Sequence, residues 1–130
     1  MSTEQLENLE QLACRAVACK RWRWMDGMRV VHVPRHDGAT GFFMRLSQDG
    51  YVPAENEYPD LSDPATLGCL LALVREAWGP EATVSVNISG FWAVGGARIQ
   101  KGKSAGHTIN LGIWKATELD ALVSALEVAP

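Results

Sequence analysis

Few of the residues that export and catalytic signatures rely on are present in this chain. There are three cysteines in 130 residues. Cys14, Cys19 and Cys69 form no Cys-x-x-Cys pair and leave an odd thiol, a pattern that excludes a disulfide framework and fits reduced thiols in a cytosol. The glycosylation sequon Asn87-Ile88-Ser89 is then a coincidence of polar spacing. No apolar run approaches the roughly 20 residues needed to span a bilayer, so no membrane partner is expected. Met1-Ser2-Thr3-Glu4-Gln5 is polar and acidic, unlike the start of a secretory signal. His-Glu-x-x-His is also missing, which excludes one common zinc-hydrolase signature.

With 47% hydrophobic and 21% charged residues, the chain has the composition of a globular domain. Its 130 residues suffice for one domain with its own core. Net charge is −3, unevenly distributed. Arg15, Lys20, Arg21, Arg23, Arg29, Arg35 and Arg45 face only Asp26 and Asp37 within residues 15–45. Residues 46–63 hold Asp49, Glu55, Glu57, Asp60 and Asp63 with no basic residue. Such asymmetry marks a binding surface or two neighbouring segments that neutralise each other, and the second is the commoner arrangement.

The clearest element is a helix over 63–78. Asp63 suits the N-cap, Pro64 the first helical position, and Gly79-Pro80 the stop. Leu67, Leu70, Leu71, Val74, Ala77 and Trp78 recur at helical spacing, and Cys69, Ala72 and Leu73 widen the stripe. A helix this apolar belongs under other elements. An earlier helix runs from Ser2 to about Lys20, with Leu6, Leu9, Ala13, Ala16 and Val17 as its stripe and Glu4, Glu7 and Glu10 toward solvent. Strands are predicted at Met28–Val33, Gly41–Ser47, Thr83–Ile88, Phe91–Val94 and 107–113, with Tyr51–Asp60 a loop. Gly95 and Gly96, just after the fourth of these regions, suggest a bulge or bend, and Ser89-Gly90 a hairpin turn before it. A last helix follows Lys115 or Thr117 and carries Leu119, Leu122, Val123 and Leu126. The order α-ββ-α-βββ-α predicts an α+β fold: a single antiparallel sheet of about four or five strands with helices packed on it.

Two motifs have the right letters in the wrong context. Cys14-x4-Cys19-x12-His32-x3-His36 has zinc-finger spacing, but the cysteines fall on a helical pattern and the histidines flank Pro34. Ala97 through Lys101-Gly102-Lys103-Ser104 resembles a loose phosphate-binding loop, yet a strand pattern follows where the phosphate-binding helix belongs. A solvated hairpin tip is the simpler reading of residues 101–106. No metal or cofactor is implied. His36 beside Asp37, and His107 on a strand, are ordinary positions for histidine and offer no paired nucleophile.

Lys20-Arg21-Trp22-Arg23-Trp24 interleaves cations with aromatics, as single-strand nucleic-acid binders do. A strand with tryptophans inward and arginines outward gives the same pattern, and the overall acidity opposes phosphate binding.

Trp22-Arg23-Trp24-Met25-Asp26-Gly27-Met28, the block Tyr58–Gly79 containing Asp63-Pro64-Ala65-Thr66-Leu67-Gly68-Cys69, and the ending Glu118–Glu127 resemble a group of small hypothetical proteins of bacteriophages and prophages. The resemblance implies a phage or prophage origin and a bacterial cytoplasm. It carries no activity, so no functional residue is transferred.

These observations lead to an expectation of a non-enzymatic accessory protein that binds a host or phage protein, or a second copy of itself. Candidate contacts are Trp22, Trp24, Trp92 and Trp114, since tryptophan is enriched in binding hot spots. The alternative is nucleic-acid binding through Lys20, Arg21, Arg23, Arg29 and Arg35.

Overall fold

The computed structural model describes residues 3–33, 41–96, 109–110 and 114–129. Helix α1 spans Thr3–Ala18, followed by strands β1 (Arg29–His32), β2 (Phe42–Arg45) and β3 (Glu57–Pro59). Helix α2 (Pro64–Trp78) precedes β4 (Thr83–Val86), β5 (Trp92–Gly96), β6 (Ile109–Asn110) and helix α3 (Glu118–Glu127). The chain divides into two compact units, Met1–Cys69 and Leu70–Pro130, whose boundary falls inside α2.

The α+β expectation holds, but the single sheet does not. The strands form two antiparallel sheets, ordered β2-β1-β3 and β4-β5-β6. The extra strand, β3, lies where a loop was expected. Its three residues end in Pro59, which lacks an N–H and is tolerated because β3 sits at one end of the three-strand order. Two prolines, Pro53 and Pro59, disguise it in the sequence.

In the first unit α1 packs against β3 and buries Ala13 and Ala16. The start of α2 is fixed by Asp63. Its Oδ2 accepts from the Thr66 backbone N–H and from the Thr66 hydroxyl, each at 3.0 Å. The Arg29 backbone N–H donates to Thr66 Oγ1 at 2.8 Å, tying the helix entry to β1. Arg45 closes the network with two guanidinium bonds to the Asp63 carboxylate, at 2.6 and 3.0 Å. Asp63 and Thr66 are buried, so this network satisfies groups that would otherwise be costly to desolvate. Gly79, at φ +112°, supplies the left-handed stop after α2.

In the second unit α3 packs against β5 and β4. Thr117 caps it by accepting from the Asp120 N–H, and Ala121, Leu122, Val123, Ala125 and Leu126 are buried. Trp78 Nε1 donates to the Ala125 carbonyl at 2.9 Å. Val84, Val86 and Ile88 alternate with polar residues, yet they form no buried face: Val84 is half-buried, while Val86 and Ile88 are exposed. β4 ends at Val86, and Asn87 Oδ1 closes a turn by accepting from the Ser89 and Phe91 N–H groups. Gly95 and Gly96 lie within β5 and pair with β6 rather than bulging. The remainder of the strand expected over 107–113 lies outside the described residues.

Candidate functional site

Antiparallel pairing places directly opposed residues on the same face of a sheet. In β2-β1-β3, Val31 opposes Phe43 and Tyr58, so these three share one face. Val30 with Met44 and Pro59, and His32 with Phe42 and Glu57, lie on the other.

The first face forms the floor of a groove of about 410 Å³, walled by α1. Val31, Val33, Phe43 and Tyr58 line the floor; Leu9 and Ala13 from α1 continue the apolar surface. Phe43 is 57% exposed, and Leu9, Val31 and Val33 are half-buried. Glu7 and Glu10, one helical turn apart, stand along the α1 side. Arg29 and Asp60 lie at the sheet side, with Nε and Oδ2 separated by 3.6 Å. The Arg29 guanidinium also covers the Phe43 ring, 3.9 Å from its centroid, a cation–π contact. Neither Glu7 nor Glu10 has an ion-pair partner among the described residues.

The opposite face carries a polar cluster that the sequence did not announce. Glu57 Oε1 accepts from the Tyr51 hydroxyl at 2.5 Å and from the Ala54 N–H at 2.7 Å. Its Oε2 lies 3.8 Å from His32 Nδ1, and His32 stacks on Phe42 with 4.7 Å between centroids and 7° between planes. The hydrogen bond to Glu57, with burial second, pushes the Tyr51 phenol up to about 12. The groove opens on the face away from His32, whose buried Nδ1 has no hydrogen-bond partner among the described residues, and the Glu57 bonds fasten β3 to Tyr51 and Ala54 just before it. Only the alternation of strand residues, once β3 is recognised, could have paired His32 with Glu57.

Comparison of the chain with protein-family models, curated proteins and solved structures finds no match.

The residues singled out in the sequence fall in both units and, in part, outside the described residues. Trp24 is buried at 6% exposure and meets Trp22 and Tyr51 edge-on, each at 5.6 Å between centroids. Trp22 is half-buried. The two therefore serve largely as packing, although residues 22–25 form no strand, contrary to the alternation argument. Lys20, Arg21 and Arg23 are exposed, and Arg21 and Arg23 have interactions of their own. Arg29 alone of the candidates lines the groove. Trp92 and Trp114 belong to the second unit: Trp92 is half-buried, with its backbone bonded both ways to Lys115, and Trp114 is 40% exposed. Arg35, His36 and His107 lie outside the described residues. So does the tip 101–106, where Gly102-Lys103-Ser104-Ala105-Gly106 also has the letters of a nucleophile elbow.

The charge asymmetry has a structural counterpart. Arg29 meets Asp60 and Arg45 meets Asp63, so the arginines of β1 and β2 are matched by the acidic stretch that follows them. The Arg45 guanidinium, by its hydrogen bonds first, holds the Asp63 carboxyl down to about 2 against the opposing effect of burial. Asp63 in turn raises Arg45. Among the described residues no group of three His, Cys, Asp or Glu side chains is placed to hold a metal ion. No helix among them is long and apolar enough to cross a membrane.

Proposed function

We propose that this protein acts by binding another polypeptide rather than by catalysis, as an accessory protein of phage or prophage origin, and that the groove between α1 and sheet β2-β1-β3 is where it binds. The phage setting rests on the sequence resemblance of residues 22–28, 58–79 and 118–127. The observation that carries the binding reading is the half-exposed apolar floor of Val31, Val33 and Phe43 facing Leu9 across an open groove. Apolar side chains left accessible together gain free energy when a partner covers them, at roughly 25 cal/mol per Å². The partner is a host protein, a phage protein or a second copy of the chain. Pairing of Arg29 and Arg45 with carboxylates supports this reading over nucleic-acid binding, which requires cations available to phosphate.

The test compares the wild-type chain with Phe43→Ser and Trp114→Ser as baits in bacterial lysate, alongside size measurement in solution. A partner, or a dimer, lost with Phe43→Ser and retained with Trp114→Ser is the expected result. Equal retention by both variants removes the groove from the function. A salt-sensitive shift of single-stranded DNA, absent in Arg21→Ala/Arg23→Ala, would favour the nucleic-acid alternative instead.

A further inference from the structure

The groove's charges specify its occupant further than its apolar floor does. Arg29 is already matched by Asp60 and lies over Phe43, so that side of the groove offers little net charge. On the α1 side Glu7 and Glu10 are unmatched among the described residues and sit three apart, on neighbouring turns of one helix. Carboxylates at this spacing form a short acidic rail beside an apolar trough. A neutral apolar partner would leave the rail unused, and an acidic one would be repelled by it.

Resting on the protein-binding reading above, we propose that the groove takes a polypeptide segment that sets apolar side chains on the Val31–Phe43 floor and lysine or arginine against Glu7 and Glu10. The floor supplies most of the affinity, and the acidic rail supplies orientation and discrimination between partners. Because the rail is at the solvent edge, its contribution falls with salt.

Two synthetic peptides of identical leucine pattern test the proposal, one with lysine and one with glutamate at every polar position. Binding to the purified full chain is followed by calorimetry, and its location by amide NMR shifts. The lysine peptide is expected to bind at least tenfold more tightly than the glutamate peptide, with shifts at Leu9, Val31 and Phe43. The double variant Glu7→Lys/Glu10→Lys, whose folding is checked by circular dichroism, should reverse that preference. If it is misfolded, Glu7→Gln/Glu10→Gln serves and should abolish the preference. Retention of the lysine preference in the folded variant overturns the charge assignment, as does a shift pattern confined to other surfaces or binding of neither peptide. A lysate partner that still depends on Phe43 would then leave the protein-binding reading standing without its basic partner. If that dependence fails as well, both fall.

Discussion

Among the described residues the two units contain the same number of strands, yet they hold them in different ways. In the first, β1 is linked to its surroundings by side-chain polarity: Arg29 to Asp60, His32 toward Glu57, and its backbone N–H to Thr66. In the second, α3 lays Leu122, Val123 and Leu126 against a sheet whose central strand buries Ala93 and Val94. The first arrangement is directional; the second depends on apolar area. The difference also bears on function, because a sheet anchored by polar bonds at its rims can leave an apolar stretch of one face uncovered, as the groove floor is.

The sharpest way to break the comparison is to cut the apolar side. Leu122→Ala removes a fully buried side chain and should cost about 2–5 kcal/mol, read as a lower urea midpoint. A loss under about 1 kcal/mol would mean that α3 is not a core element. Next in size is Asp63→Ala, which orphans the Thr66 N–H and releases Arg45, at roughly 1–3 kcal/mol. Asp63→Asn keeps an oxygen for the cap and should recover the capping share while losing the ionic one. If the two substitutions are equally damaging, the cap contributes nothing.

Smaller effects come from titration. Asp63 is held down to about 2 from 3.8, so its stabilisation is complete above pH 4 and is lost as pH falls toward 2. Acid unfolding curves of Asp63→Asn should lack that limb. Tyr51 is raised from 10.0 to about 12, the opposite sign: its contribution is present below pH 10 and disappears as pH rises through 12. Ultraviolet titration should show a late-ionising tyrosine that Tyr51→Phe removes; ionisation of both tyrosines near 10 would contradict the Glu57 bond. The smallest change is expected from Arg29→Ala, whose solvent-edge pair with Asp60 should contribute less than about 1 kcal/mol and shrink with salt.

Local signals were legible where a single stretch of chain decides the outcome. Asp63-Pro64 and Gly79-Pro80 bound α2; of its expected stripe Leu70, Val74 and Ala77 are buried while Leu67, Leu71 and Trp78 are half-buried, and Leu73, expected only to widen it, is buried. Thr117 begins α3 for the same reason. Strand β3 and the division into two sheets were not legible, because a three-residue strand ending in proline has no periodicity of its own and is defined by what it pairs with. The tryptophans illustrate the same limit: side-chain type marks Trp24 as a contact candidate, and only packing against Trp22 and Tyr51 assigns it to the interior. The candidate site was almost wholly hidden, since Arg29 was its one residue among those singled out.

By itself the sequence determined the helices, the caps of α2 and α3, the mixed α+β class and the unequal placement of charge, since each depends on residues within a few turns of one another. Tertiary structure alone decided which arginines are neutralised and which glutamates are not, and which apolar side chains remain at the surface. Those outcomes follow from strand register and from helix α1 meeting residues about 50 positions away in β3, distances over which no local periodicity carries information.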